Sequence, residues 1–374
     1  MRWLLLLFVL QCSVTSGAQK TETDSLKKLL VVTHKKEERV RVLEGLSYAY
    51  VSSYPDTALQ YAQEGLKLAR QINYANGVAM CTNALGNVYA SMGDHAKALQ
   101  FYLDYLEMKE SLKDRKNISV AYYNIASIYT EEKDYRYALM YFFKAKEEDE
   151  KQKDSTAILY DCYSLASVYL RMEKFDSALV FLDQSYKFGL DLDDRNMMGA
   201  ILNTYGELYL ASKDIDRAAK YYHLSIPYAS HINDNEVLAS TYYGLARIFS
   251  QKSMSDSAIF YGNKALQIAK NAPFLRQVLE ISTFLTGVFK TTGKLDSAFI
   301  YQTLCVTTKD SLFNIDEARK VQNLKFEEEQ RQQEIETGRL QYRNRIILLT
   351  VLFFSVVFFV TALVCGETIS KRKK

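Results

Sequence analysis

Seven alanines, Ala58, Ala98, Ala138, Ala178, Ala218, Ala258 and Ala298, stand at regular intervals of forty residues. Nine residues before each of the last six stands an aromatic: Tyr89, Tyr129, Tyr169, Tyr209, Phe249 and Phe289. In the first unit Tyr50 precedes its alanine by eight, so that unit is one residue shorter. Three residues before each aromatic comes a small or short side chain: Ser47, Gly86, Ala126, Ala166, Gly206, Ala246 or Thr286. Leu46, Leu85, Ile125, Leu165, Tyr205, Leu245 or Leu285 comes directly before that. Four columns held in phase through seven units define an array of one repeated supersecondary unit.

Apolar residues spaced at i, i+3 and i+4 make a single buried stripe on a helix. Small residues in the Gly86 and Ala98 columns mark close approaches between helices. Short polar turns such as Met92-Gly93-Asp94 and Glu132-Lys133-Asp134 separate the stripes. Asp56, Asp176, Asp216, Asp256 and Asp296, two residues before the alanine, are placed to cap the second helix or complement its dipole. Each unit reads as helix A, turn, helix B. One such hairpin cannot cover its own stripe, so stability comes from stacking neighbours.

On Leu85, Gly86, Tyr89, Ala98 and Tyr102 the chain resembles the tetratricopeptide repeat (TPR) family, with its L-G-x-x-Y and later A-x-x-x-F/Y positions. The resemblance covers residues 40–305, about seven repeats. It implies an all-α TPR-type helical-hairpin solenoid. The forty-residue period exceeds the family's thirty-four, so each helix should be half a turn to one turn longer. The family's tryptophan position holds Thr82, Tyr122, Cys162, Leu202, Tyr242 and Ser282, and its closing proline is missing.

The segments on either side differ in composition. Met1 to Ala18 reads as a signal peptide: Arg2, an apolar run from Trp3 to Leu10, and Ser16-Gly17-Ala18 before Gln19. Cys12 invites a lipoprotein reading, but Gln11 before it is not a small residue, which favours ordinary cleavage. Residues 19–39, with a helix over Thr21 to Lys36, would cap the open end of the stack. Pro55 suits a helix start, while Pro227 and Pro273 are read as helix stops. Residues 306–345 are charged and glutamine-rich and read as a helical stalk. Val321, Leu324, Ile335 and Tyr342 form an incomplete heptad seam, leaving a weak homodimer and a single exposed helix both open. Residues 346–364 carry no formal charge and at ~1.5 Å per residue reach about 28 Å, the length of a transmembrane helix. The tail, 365–374, ends Lys371-Arg372-Lys373-Lys374 and reads as cytoplasmic. Arg339, Arg343 and Arg345 weaken that charge argument, so the signal peptide decides orientation. The expected location is a bacterial inner membrane, single-pass, with the array periplasmic.

Chemistry-bearing motifs are sparse. His34, His95, His223 and His231 show no paired ligand spacing, and His95 aligns with Tyr135, Phe175, Ile215 and Leu295 as a packing residue. Cys81, Cys162 and Cys305 are too far apart along a stacked array to bridge. Cys162 and Cys305 fall in core columns and read as buried small hydrophobes. Cys365 is the remaining cysteine of the mature chain. No phosphate loop, dinucleotide fingerprint, G-x-S-x-G or kinase signature occurs, so neither an enzyme nor a cofactor is expected. Asn117-Ile118-Ser119 matches a glycosylation sequon, a pattern too short to weigh much. A formal net charge of +3 on 374 residues makes no case for nucleic-acid binding.

What remains is a binding surface. In the resembled family the inner face of helix A lines a concave groove. Carried over by alignment, that face comprises Asn83 and Asn87, Tyr123 and Ser127, Tyr163 and Ser167, Asn203 and Glu207, and Tyr243 and Arg247. Asn and Tyr suit an extended peptide or a protein partner. Apart from Asn87 and Arg247 the chain lacks the basic residues of the family's clamp for a C-terminal carboxylate. Signal peptide, long array, Asp-Ser-Ala turns (176–178, 256–258, 296–298), charged helix and single span together resemble bacterial membrane-anchored TPR signalling proteins. Those continue into a histidine kinase or helix-turn-helix output domain, whereas this sequence stops ten residues beyond the expected span. Three functions follow: a membrane-anchored interaction module that senses or signals at the envelope, a receptor truncated to its sensor half, or a passive scaffold for an envelope complex.

Overall fold

The computed structural model describes residues 16–52, 54–271 and 274–313, with 338, 339, 342, 343, 345–347 and 349–352. The array lies within a first compact unit extending to Leu312. After α1 (Ser16–Val32) come α2 (Lys36–Tyr50) with α3 (Pro55–Gln71), α4 (Ala75–Ser91) with α5 (His95–Ser111), and α6 (Arg115–Glu131) with α7 (Tyr135–Gln152). Then follow α8 (Ser155–Arg171) with α9 (Phe175–Asp191), α10 (Arg195–Ala211) with α11 (Ile215–His231), and α12 (Asn235–Gln251) with α13 (Ser255–Asn271). The seventh hairpin is α14 (Leu275–Thr291) with a helical segment over 295–313. Even-numbered helices from α2 are the A helices of the expected hairpins.

The forty-residue period is two similar half-periods of twenty. From α4 to α14 every helix but α7 has 17 residues. One stop signal recurs at nearly every connection. Asn73, Gly93, Lys113, Lys133, Lys153, Glu173, Asp193, Lys213, Asn233 and Ser253 all have positive φ, at steps of twenty, and so does Gly293, two steps further on. At the second hairpin Gly93 N–H donates to the Ala90 carbonyl at 3.0 Å and Asp94 N–H to the Tyr89 carbonyl at 2.9 Å. This paired closure satisfies orphan carbonyls at a helix end through one left-handed residue. The next residue begins the following helix. Asp94, Asp134, Asp154, Asp194, Asp214 and Asp234 are N-caps whose carboxylates accept backbone N–H groups of the first turn. Of the two roles expected for Asp56, Asp176, Asp216 and Asp256, capping or complementing the dipole, the second holds: they sit inside the first turn, and Asp216 and Asp256 also pair with Lys252 and Lys294.

Packing explains the sequence columns. The seven alanines from Ala58 to Ala298 are at most 3% exposed. Each A-helix aromatic stacks on an aromatic of the paired B helix. The rings of Tyr89 and Phe101 are 5.4 Å apart, Tyr129 and Tyr141 5.8 Å, Tyr169 and Phe181 5.6 Å, and Tyr209 and Tyr221 5.3 Å. Phe249 and Tyr261, and Phe289 and Tyr301, are each 5.2 Å apart, and Tyr50 and Tyr61 5.9 Å. Stacked pairs of this kind contribute about 0.5–1.5 kcal/mol beyond area burial. Their second members, Tyr61 to Tyr301, form a fifth column at a period of forty that the sequence reading passed over.

Several expectations change. The lead-in helix is α1, ending at Val32, and the first A helix begins at Lys36 rather than residue 40. Pro55 does open α3. Pro227 does not stop α11, which runs four residues further to His231, because the hairpin's closing turn comes at Asn233. A stalk beginning at 306 would start inside the helical segment 295–313. Cys81 and Cys162 are buried free thiols, but Cys305 is only half-buried, since no further hairpin among the described residues covers its helix. His95 is no purely apolar packing residue: its Nδ1 lies 2.5 Å from Glu132 Oε1 in the next repeat.

The expected signal peptide lies outside the described residues except for 16–18, which open α1. Pro273, Cys365, residues 314–337 of the stalk and most of the span 346–364 also lie outside them. Among the described residues no helix is long and apolar enough to cross a membrane.

Candidate functional site

The A helices form the inner layer. Successive A helices touch at α2–α4, α8–α10, α10–α12 and α12–α14, and among the described residues no two successive B helices pack to that extent. The array therefore curves with the A helices inside, and their shared face is the concave wall.

A ladder of polar contacts runs along that wall. Asn124 Nδ2 donates to Asn83 Oδ1 at 2.9 Å, joining α6 to α4. The Ser164 hydroxyl meets the Tyr123 hydroxyl at 2.9 Å, joining α8 to α6. Thr204 Oγ1 lies 3.4 Å from the Tyr163 hydroxyl, joining α10 to α8. Each partner follows by 41 residues. Where glycine, Gly244, takes the next partner position, Thr241 supplies the hydroxyl instead and donates to Asn203 Oδ1 at 2.9 Å. Between Tyr243 and Phe284 the contact becomes an edge-to-face aromatic pair at 5.5 Å.

The ten residues expected on this face thus divide. Asn83 and Asn203 are buried, at 3% and 6% exposure, and with Tyr123 and Tyr163 they hold neighbouring repeats together. Ser127 and Ser167 donate to the carbonyls of Tyr123 and Tyr163, each at 3.0 Å, inside their own helices. Asn87 Oδ1 accepts the Tyr102 hydroxyl at 2.8 Å and is half-buried. Glu207 and Arg247, the corresponding positions two and three hairpins further on than Ser127, are exposed. Glu207 accepts from Asn203 Nδ2 at 2.9 Å, and the Arg247 guanidinium lies 5.9 Å from the Tyr243 ring centre.

Although solvent reaches Glu207, protein crowds it from the walls of the trough. Desolvation raises its pKa above the usual carboxylate value, against Asn203, Arg247 and Arg171, which favour the charged form. Arg171 also pairs with Glu131 at 3.7 Å. The central groove therefore carries accessible charges of both signs, bounded by half-buried tyrosines.

Glu44 belongs to the same column as Asn83, one repeat earlier, and sequence reasoning missed it because the first unit is one residue short. The position equivalent to Asn124 one repeat earlier is Ala84, which cannot form a rung, and burial pushes the Glu44 carboxyl up to about 7. Two surface depressions of about 340 and 410 Å³ lie at the ends of α7 to α9 and of α9 to α11. Neither is lined by any of the ten groove residues. Among the described residues no group of three or more His, Cys, Asp or Glu is arranged to hold a metal ion.

These features define an all-helical hairpin solenoid with a polar inner face. The tetratricopeptide repeat model matches residues 54–111 and 197–271. Over those two segments the chain carries tetratricopeptide repeats. No curated protein matches it. Among solved structures it is similar to the apo form of RapI, at 17% identity over 69% of this chain and 92% of that one, with a TM-score of 0.55. A Rap protein complexed with competence and sporulation factor gives 22% identity, 68% and 72% coverage, and 0.55. NprR in complex with its cognate peptide NprX gives 16%, 80% and 87%, and 0.55. At these identities the likeness is one of fold.

Proposed function

We propose that the chain is a non-enzymatic binding module whose A-helix wall takes an extended peptide or a partner protein's segment, in sensing or signalling at the cell envelope. The carrying observation is the division of the wall. The ladder from Asn83 to Asn203 holds the groove's shape, while Asn87, Glu207 and Arg247 keep polar or charged groups within reach of a ligand. A preorganised trough with fixed donors and acceptors loses little entropy when an extended chain docks. Two solved structures of similar fold are complexes: a Rap protein with competence and sporulation factor, and NprR with its cognate peptide NprX. Anchoring by residues 346–364, with the array outside the inner membrane, rests on the sequence alone.

The test is retention of partners from native membranes solubilised in detergent. Full-length protein should retain a partner that the triple variant Asn87→Ala, Glu207→Gln, Arg247→Ala loses, with melting temperature unchanged. A chain lacking residues 345–374 should retain the same partner if the wall alone recognises it. Equal retention by wild type and triple variant would overturn the groove reading. Partners that require residues 345–374 would move recognition to the stalk and span.

A further inference from the structure

The third and fourth hairpins meet over a buried pair of acids. Asp149, in the last turn of α7, is 6% exposed, and Asp161, in the middle of α8, is 1% exposed. Both stand where the repeat otherwise places small or mostly apolar side chains. The positions equivalent to Asp149 hold Ala69, Lys109, Gly189, Ala229 and Ala269, and those equivalent to Asp161 hold Cys81, Ala121, Ile201, Thr241 and Ile281. The one other charge, Lys109, is compensated: Nζ donates to Asn76 Oδ1 at 2.6 Å and to Asp114 Oδ2 at 3.0 Å. Among the described residues neither aspartate has a paired cation of that kind. They hydrogen-bond each other, the Ser119 hydroxyl of α6 bonds Asp149, and Asp161 Oδ2 has no hydrogen-bond partner among the described residues.

Two carboxylates at hydrogen-bond distance in a low-dielectric interior do not both ionise; the pair holds one proton, which lies between them. The surroundings reinforce this. Within α7, Glu148 and Glu150 add negative charge and Lys146 opposes it, although Lys146 is paired with Glu150. The N-cap Asp154 of α8 adds another negative charge. Lys187 and Asp191 of α9 line the nearby surface depression with Lys146 and Glu150. Ser119, which stabilises Asp149 as the ionised member, leaves Asp161 as the one that keeps the proton.

We propose that Asp149 and Asp161 form a proton-operated joint in the solenoid, which holds the third and fourth hairpins together while the pair is singly protonated and loosens them when the second proton leaves. Both groups have their pKa raised in the folded chain, with burial as the largest cause. The folded state therefore binds protons more tightly than the unfolded one. Stability contributed by the pair is fullest at low pH and falls as pH rises above the ordinary carboxylate value near 4, through neutrality and into the alkaline range. The joint lies between α7 and α8, and the Tyr123–Ser164 rung spans the same two hairpins.

The experiment is thermal unfolding of the full chain in detergent from about pH 5.5 to 9.5, for wild type, Asp161→Asn and Asp149→Asn. The amide introduced by Asp161→Asn keeps the hydrogen bond to Asp149 and cannot ionise. The melting temperature of wild type should therefore drop relative to Asp161→Asn by more than about 5 °C across that range. Hydrogen exchange at alkaline pH should show wild-type loosening first in the last turn of α7 and in α8. Asp149→Asn removes the like charge, so the midpoint of the fall should move to lower pH; it carries the test should Asp161→Asn fail to fold. Parallel melting curves for wild type and Asp161→Asn, an unmoved midpoint in Asp149→Asn, or loosening spread evenly along the array would overturn the joint.

Discussion

Gly206 and Tyr222 pack so closely that a Cβ built on the glycine would stand 2.5 Å from the tyrosine ring. The same ring comes closer still to the position of a Cβ on Gly244, so Tyr222 is wedged between two A helices at their glycines. Gly86 and Tyr102 repeat half of this arrangement, again at 2.5 Å. Where the A-helix residue is alanine, the B helix carries a side chain without a hydroxyl: Ala126 with Phe142, Ala166 with Leu182. Residue size is matched across the hairpin. Gly206→Ala should accordingly cost about 1–3 kcal/mol despite alanine's better helix propensity. Adding Tyr222→Leu, which copies the fourth hairpin, should recover part of that loss. Denaturant unfolding of the two single variants and the double variant measures the coupling; additive effects would separate the two residues.

The connections offer a simple stabilisation. Lys133 and Glu173 hold the left-handed conformation, at φ 61° and 58°, that glycine adopts without steric cost. Lys133→Gly or Glu173→Gly should raise stability by about 0.5–1 kcal/mol each. Asn73, at φ 54°, should gain little from the same change, because asparagine tolerates this conformation. A denaturant midpoint that moves equally for Asn73 and Lys133 would contradict this ranking.

The two aspartate columns at helix starts differ in role and should differ in cost. Asp234 accepts Val237 N–H at 3.0 Å and is 1% exposed, so Asp234→Ala should lose about 1–2 kcal/mol. Asp176 lies one residue inside α9, past the N-cap at Lys174, so Asp176→Ala should lose only about 0.3–1 kcal/mol, and that loss should shrink in salt. Unfolding at low and high ionic strength separates them.

Ladder residues and accessible residues of the groove should part company under mutation. Asn83→Ala and Tyr123→Phe remove rungs and should each destabilise the array by about 1–2 kcal/mol. Glu207→Gln and Arg247→Ala should leave the melting temperature within a degree or so of wild type, since surface substitutions of this kind change stability by under about 0.5 kcal/mol. Scanning calorimetry on the four variants is sufficient. A stability loss at Arg247 as large as at Asn83 would place both in the scaffold.

Glu44 gives a pH signature at the other end of the ladder. Its folded pKa, about 7, exceeds the ordinary glutamate value of 4.5, so its protonated form favours the folded state. That contribution is complete below the unfolded value and is lost as pH rises from there through about 7. Glu44→Gln should therefore gain about 1–2 kcal/mol over wild type above neutrality, with its partial exposure taken into account, and nothing near pH 4. A gain that does not depend on pH would point to a cause other than ionisation.

Much of this was legible in the chain. Seven hairpins, their turns at Met92-Gly93-Asp94 and Glu132-Lys133-Asp134, and the burial of the alanine column follow from a period of forty, because every repeat poses the same packing problem and answers it with the same residue sizes. The stacked aromatic column from Tyr61 to Tyr301 was equally legible and was missed, since only one residue of its neighbouring column had been aligned. Whether these aspartates cap or only complement the dipole stayed open for a different reason: Asp176 and Asp216 recur as conspicuously as Asp194 and Asp214, and composition cannot say which carboxylate stands at the helix boundary. Backbone geometry decides it, through the left-handed residue that precedes the cap.

The groove shows where sequence stops. Alignment placed Asn83, Tyr123, Tyr163 and Asn203 on the inner face but could not tell a ligand contact from a strut, because their partners stand 41 or 38 residues away on another helix. Nor could it show that Asp149 and Asp161 share one buried site, although each occupies a column that is otherwise mostly small or apolar. Period and residue size, repeated along the chain, determine the hairpin and its stacking. Which polar atoms meet across neighbouring hairpins depends on the rotation of one repeat against the next, and only the packed array sets that rotation.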